Sequence, residues 1–319
     1  MPFTNFPYGI RSFGVPVTPS AYNRPIGFGG KGNTTAVAPG SGPGSQIFFV
    51  NNALATASDV AGAGTNPLQP FKTINFAVTR CIANNGDVIY VGPGHVETVA
   101  SAGALTIGVA GVTIIGIGNS TGDQPGVQYT TSTAATVLIT AANVWIQNLR
   151  FRNSIDARVD GVVVSAAGCT LCNCVWTDDT GAGSLISIRT TASGTKLNVL
   201  GCYADLTENT GTQRTEFIRI VGGSDHLLMD NSFFGNYSTG TFNNVTTLIS
   251  NIAFVRCNLS NTNAANLCIA ILTTSTGFLN ACMLSYTATH AITTAHILSA
   301  DMASGQCIPG ATPTVIGHA

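Results

Sequence analysis

The chain has 319 residues, and only 8% of them are charged, where about 25% is usual in soluble proteins. Thirteen basic and fourteen acidic side chains leave a net charge of −1, which speaks against a nucleic-acid binder, since such proteins carry a basic patch or stripe. Hydrophobic residues make up 45% and the mean hydropathy is +0.30, which excludes intrinsic disorder, a state that needs low hydrophobicity and high charge.

The first 45 residues stand apart. They hold seven of the chain's 13 prolines and nine glycines, and their only charges are Arg11, Arg24 and Lys31. Proline removes amide donors and glycine raises the entropy cost of ordering, so this stretch forms neither helix nor interior strand. It reads as an extended arm without a core of its own. Phe3, Phe6, Tyr8, Phe13, Tyr22 and Phe28 are its apolar anchors for a neighbouring surface, and Arg11, Arg24 and Lys31 its contacts with acidic groups there. The opening residues lack the basic and apolar regions of a secretory signal. The nine cysteines are therefore expected to be free thiols rather than a disulfide framework.

From Gln46 the pattern becomes regular. IFFV predicts a strand, and the following stretch reads as turn, helix, turn and strand. Leu68, Phe71, Ile74, Phe76, Ala77, Val78 and Ile82 form one helical face, Asn84, Asn85 and Gly86 stop it, and DVIYV is a buried strand. GALTIGVAGVTIIGI, residues 103–117, is too glycine-rich for a spanning helix of about 20 apolar residues, and reads as two short strands. No membrane partner is expected.

A short alternating segment then recurs: IIGIGN at 114, IQNLRF at 146, LCNCVW at 171, VLGCYA at 199, MDNSFF at 229, FVRCNL at 254 and LNACML at 279. Between these lies a second set of β-branched runs: TVLI 136–139, GVVV 161–164, SLISI 184–188, EFIRI 216–220, TTLI 246–249 and LCIAI 267–271. The spacing of 25–32 residues between starts indicates a solenoid. Helical spacing is absent, so the repeat is a β one. Cys174, Cys202, Cys257 and Cys282 occupy one repeat position and are expected to stack inward as a column; Cys169, Cys172 and Cys268 take other inward or turn-adjacent sites.

The chemistry-bearing residues are few. Asp178 and Asp179 form the one adjacent acidic pair, of the kind that serves glycoside hydrolysis, but they read as a solvated turn between rungs. Cys169 and Cys172 form a Cys-x-x-Cys with no second pair to complete a zinc site. His95 is expected in a hydrogen-bonded turn beside Glu97, and His226, His290, His296 and His318 are scattered. No metal, cofactor or catalytic residue is expected. From Cys257 to Ala300 there is no charged side chain over 44 residues, which points to burial of that flank against another subunit.

Two resemblances follow from these motifs. PFKTINFAV followed by GDVIYVGPGHVET is similar to the start of right-handed parallel β-helix proteins of pectate-lyase-like architecture. That resemblance implies an all-β, right-handed parallel β-helix over residues 46–305, an N-terminal capping helix, and a short tail over 306–319. The opening FPYGIRSFGVPV before a β-helix resembles the arms of tailed-bacteriophage virion proteins that decorate or cement the head. It implies a structural, non-enzymatic virion protein on the phage head surface, assembled in the host cytoplasm. The expected partners are the major capsid protein, held by the arm, and two further copies in a homotrimer. A phage tailspike or fibre that binds or cleaves host polysaccharide is the alternative.

Overall fold

A computed structural model of the chain describes residues 45–118, 123–207, 211–244, 247–263, 267–272, 275–286, 297–298, 302–304 and 308–309. Three parallel sheets of ten, nine and eight strands form the walls of a solenoid. One coil shows the path: Thr170–Cys172 in the ten-stranded sheet, Val175–Asp178 in the nine-stranded sheet, Ser184–Thr190 in the eight-stranded sheet, then Asn198–Leu200 back in the first. Every pairing between coils is in parallel register, as between Leu171 and Val199 or Val175 and Tyr203. This is the all-β parallel β-solenoid that the repeat predicts. The described strands run on to Ile308–Pro309, beyond the expected boundary at 305.

Alternation at period two sends one side chain in and the next out. Ile89, Ile114, Ile146, Leu171, Val199, Leu228, Phe254 and Leu279 form an inward column of the ten-stranded sheet, each at most 1% exposed. Phe151, Trp176, Phe217 and Phe233 fill the middle of the core, with ring centroids 4.2–5.5 Å apart along that chain. The segment 103–117 does contain two short strands, Leu105–Ile107 and Thr113–Gly116. Among the described residues no helix is long and apolar enough to cross a membrane.

The corner between the ten- and nine-stranded sheets is tight and repeats from coil to coil. Asn148, Asn173, Gly201, Asp230, Arg256 and Ala281 hold it with φ between 49° and 61°, the left-handed region that turns the chain sharply. From Asn148 to Arg256, each of their amides donates to a carbonyl of the next coil, as Asn173 does to Leu200 at 2.8 Å. The residue that follows points inward: Leu149, Cys174, Cys202, Asn231, Cys257 and Cys282, all at most 2% exposed. The four cysteines are thus one column, as their repeat position predicts, with Asn231 inserted midway. Each thiol donates to a carbonyl of the preceding coil, for example Cys257 to Leu228 at 3.3 Å and Cys282 to Phe254 at 3.4 Å. A small side chain with a weak donor suits this site. Asn231 fits because its amide is fully used, accepting from the Cys202 N–H at 2.9 Å and donating to the Val199 carbonyl at 2.8 Å.

A helix, Ile74–Arg80, covers the N-terminal end, where open strand edges would otherwise invite pairing with another chain. Ile74, Ala77 and Val78 are its buried face, with Phe71 beneath it. Thr73 caps its first turn by accepting from the Phe76 N–H at 3.1 Å. Leu68 and Ile82 correct the expected face: both lie outside the helix and are exposed, at 73% and 55%. The second correction concerns TTLI at 246–249. Ile249 opens a strand of the ten-stranded sheet, and the eight-stranded sheet is instead supplied in that coil by Tyr237–Asn244. That strand is YSTGTFNN, too polar to stand out as a β-branched run.

Candidate functional site

Where the nine-stranded sheet passes the chain to the eight-stranded sheet, the wall is built from charge. Tyr129, Asn153 and Asp178 stack in register at the ends of successive strands, and two strands of the next sheet open on Arg158 and Arg214. Both arginines are buried, at 1% and 2% exposure. Arg214 pairs with Asp178 through Nη2 and donates from Nη1 to the Leu206 carbonyl at 2.9 Å. Arg158 donates from Nε to Asn153 Oδ1 at 2.9 Å, and its guanidinium lies 4.0 Å from the centroid of the Tyr129 ring. Gly161 leaves room for that guanidinium: a Cβ there would stand 2.8 Å from Arg158 Nη1 and 2.4 Å from the Ser187 carbonyl oxygen.

Burying these ions costs several kcal/mol each unless partners replace the lost water. Burial pushes the Asp178 carboxyl above its ordinary range, and Arg214 pulls it back part of the way. Burial lowers the proton affinity of Arg158, against which Tyr129 and Asp178 act. The phenols of Tyr129 and Tyr237 are raised by burial.

A second cluster lies on the eight-stranded sheet. Arg189 and Arg219 are register neighbours on adjacent strands. Arg189 Nη2 is 3.0 Å from Asp160 Oδ2, while Arg219 pairs with Glu216, which also accepts from the Asn243 amide. Burial raises both Asp160 and Glu216, opposed at Asp160 by Arg189 and at Glu216 by the Asn243 amide and Arg219. Arg158, Asp160, Arg214 and Glu216 were not legible as site residues, because each sits inside a run that otherwise reads as a plain strand. Their signal is a charge within RVDGVVV and RTEFIR, where a buried ion must have a partner.

The acidic pair is split. Asp178 is buried against Arg214, which corrects the expectation of a solvated turn; Asp179 alone is near solvent. Asp179 accepts from Arg152 Nε at 2.6 Å and from Ser154 Oγ at 2.6 Å. Partial burial raises Asp179, but these bonds outweigh it and hold the carboxyl below its usual value. General acid and base catalysis on a glycosidic bond needs two carboxyls flanking one space. Here one is turned into the wall and the other outward, and each is held by its own arginine.

The described histidines are internal as well. His95 Nδ1 accepts from the Asn52 N–H at 3.1 Å, so Nε2 carries the proton toward Glu97 Oε2, 3.1 Å away. Glu97 in turn accepts from the Ile74 and Asn75 amides at the start of the capping helix, at 2.8 and 3.3 Å, where a carboxylate meets the positive end of the helix. His95 is thus the hydrogen-bonded turn residue expected beside Glu97. His226 Nδ1 accepts from the Leu197 N–H at 3.2 Å, and burial lowers its pKa. Cys169 belongs to the core while Cys172 lies on the outer side of its strand, so the Cys-x-x-Cys diverges. Among the described residues no group of three His, Cys, Asp or Glu is placed to hold a metal, and the eight cysteines there are free thiols.

Phe3, Phe6, Tyr8, Arg11, Phe13, Tyr22, Arg24, Phe28 and Lys31, the arm contacts expected from the sequence, lie outside the described residues, as do His290, His296 and His318.

Fold and corner together define a capped parallel β-solenoid with an ion-paired wall. No protein-family model matches the chain, and no curated protein matches it. Among solved structures, a chain titled rhamnogalacturonan lyase is similar over 85% of this chain and 90% of its own, with a TM-score of 0.43 and 11% sequence identity.

Proposed function

We propose that this chain is a structural component of a virus particle, of the head-decorating type that its arm resembles. In this reading residues 1–45 dock on the major capsid protein and the β-solenoid projects from the shell. A proline-restricted arm loses less entropy on docking than a flexible one, and its aromatic residues supply the burial that anchors it.

The observation that carries the reading is the use of the polar side chains. Asp178 is held by Arg214, Asp179 by Arg152, Glu97 by the helix start, and the rings of His95 and His226 by backbone amides. These groups stiffen and close the solenoid, which is what a load-bearing shaft requires.

The test is a chain lacking residues 1–45, added to shells that lack this protein. The truncated protein is expected to fold, with unchanged circular dichroism, and to leave the shells undecorated. Decoration at full occupancy would place attachment in the solenoid and end this reading of the arm. A second assay asks for turnover of acidic polysaccharides by the full chain and by Asp178→Asn/Asp179→Asn. Turnover lost in a double variant whose circular dichroism is unchanged would favour the tailspike alternative.

A further inference from the structure

Asn231 divides the inward column of the tight corner into two pairs of thiols. Cys174 and Cys202 stand on neighbouring coils, and so do Cys257 and Cys282, because the residues that follow them are register partners: Val175 with Tyr203, and Asn258 with Met283. The backbones are tied together at the same places. The Tyr203 N–H donates to the Cys174 carbonyl at 2.9 Å, and the Met283 N–H to the Cys257 carbonyl at 2.8 Å. Parallel strands lie about 4.8 Å apart, inside the roughly 4.4–6.8 Å between Cα atoms that a disulfide spans. Cys202 and Cys257 are two coils apart, about 9.6 Å, which is beyond the roughly 7 Å at which bridging without backbone movement ends.

Within each pair the sulfurs already reach across. Cys202 Sγ accepts from the Cys174 N–H at 3.4 Å and lies 3.5 Å from the Leu171 carbonyl, both in the preceding coil. Cys282 Sγ lies 3.4 Å from the Phe254 carbonyl, in the coil of Cys257. The thiols themselves interact, Cys174 with Cys202 and Cys257 with Cys282. A change of staggered rotamer at Cys174 or Cys257 turns its sulfur toward its partner. The Leu200 and Val255 carbonyls, to which Cys202 and Cys257 donate, also accept from the Asn173 and Asp230 amides, so they stay bonded without the thiol protons.

The contact makes the members of a pair unequal. Burial raises the Cys174 thiol, but hydrogen bonds with Cys202 and the backbone outweigh it and lower its pKa, while Cys202 is raised by burial and by Cys174. The Cys257 thiol is lowered chiefly by its hydrogen bond with Cys282. An acidic thiol beside a second one is the arrangement in which the first is oxidised and the second resolves it.

We propose that Cys174–Cys202 and Cys257–Cys282 are two oxidation sites, each closing as a disulfide between neighbouring coils with hydrogen peroxide as the oxidant. The thiolate of Cys174 or Cys257 attacks the O–O bond, becomes a sulfenic acid and releases water. The partner sulfur then displaces the sulfenic oxygen, which leaves as a second water while the S–S bond forms. Two thiols and one peroxide give one disulfide and two waters; each sulfur loses one electron and the peroxide oxygens gain them. All four thiols are at most 1% exposed, so the small oxidant enters through local opening of the coils, and oxidation is slow. A solenoid is held by contacts between neighbouring repeats, and each link reinforces one such contact.

The experiment keeps the native full chain with hydrogen peroxide, then unfolds, alkylates and cleaves it without reductant for mass spectrometry. Both linked pairs are expected, each lighter by two hydrogens, while Cys81, Cys169, Cys172 and Cys268 join no disulfide. Unfolding of the linked protein in guanidinium should slow at least tenfold and recover its rate with dithiothreitol. Free thiols at all four positions, a Cys202–Cys257 or Cys172–Cys174 link, or a sulfinic acid at Cys174 or Cys257 beside an intact partner thiol would overturn the proposal. One pair alone would overturn it for the other, and unslowed unfolding would remove the reinforcement. Cys174→Ala should lose the first link and keep the second; if it fails to fold, Cys202→Ser makes the same comparison. Shell decoration by the arm is measured separately, so failure here leaves the proposed function standing, and the converse holds.

Discussion

Two corners of the same solenoid solve the same problem with opposite chemistry. Between the ten- and nine-stranded sheets the chain turns through one left-handed residue, and the next side chain enters the core as leucine, cysteine or asparagine. Between the nine- and eight-stranded sheets the connection varies in length, and Arg158, Asp178 and Arg214 fill the space. The first corner repeats so closely that one inward position recurs in each coil, and cysteine fills it in four of the six. The second leaves gaps of differing size, and long side chains that carry their own hydrogen bonds can fill a gap that no single aliphatic side chain would. Tight geometry selects for size, and loose geometry permits polarity provided every charge finds a partner.

That contrast breaks most readily at the charged corner. Arg214→Met leaves Asp178 buried without its cation and is expected to cost about 3–5 kcal/mol, read as a fall in the urea midpoint. Replacing both, as Asp178→Leu/Arg214→Met, should cost clearly less than the sum of the single changes, since no unpaired ion remains. Equal and additive losses would show that the pair is not coupled.

At the cysteine corner, Cys202→Asp brings an unpaired carboxylate among thiols and carbonyls and should destabilise the fold by several kcal/mol. Cys202→Ala should be mild, at about 1–2 kcal/mol, because little volume is lost. If aspartate were tolerated as well as alanine, the column would not be closed to water.

Buried titratable groups elsewhere in the solenoid respond to pH with opposite signs. His226 has a lowered pKa in the fold, so the unfolded chain binds its proton more tightly. Its contribution is complete above an unfolded value of about 6.5 and is lost as the pH falls below it. Asp178, Asp160 and Glu216 are raised, so their contribution has the opposite sign: it is complete below about pH 4 and lost as the pH rises through their folded values. His226→Asn should flatten the acid side of a stability–pH curve below about pH 6.5. An unchanged slope there would remove His226 from the account.

The smallest effects belong to the outside of the tight corner. Asp230→Asn breaks an exposed pair with Arg256 but places a residue well suited to positive φ, and should leave the unfolding midpoint unchanged. Ala281, at φ 52°, occupies a conformation that costs an alanine about 1–2 kcal/mol, so Ala281→Gly should stabilise by roughly 0.5–1 kcal/mol. A loss on that substitution would mean that the alanine methyl packs better than its exposed position implies.

What was legible beforehand follows the same division. The tight corner could be read directly: its spacing carries the cysteines to one repeat position, and a position that recurs with each coil must share one environment. The charged corner could not. Asp178 and Asp179 look alike in WTDDTGAG, and only the register of neighbouring strands puts Arg214 beside one and Arg152 beside the other. The strand Tyr237–Asn244 was hidden for a related reason, because its hydrogen bonds come from coils on both sides and not from apolar character of its own.

By itself, then, the order of residues determined the solenoid, its capped end and its column of thiols, since period two within strands and a repeat near 28 residues leave the chain few other ways to bury its apolar side chains. Only the tertiary structure decided which charges meet and which acid is buried. Those depend on residues about 25–36 positions apart being brought within 3 Å of each other, a proximity that local pattern does not encode because it arises when one coil lands on the next.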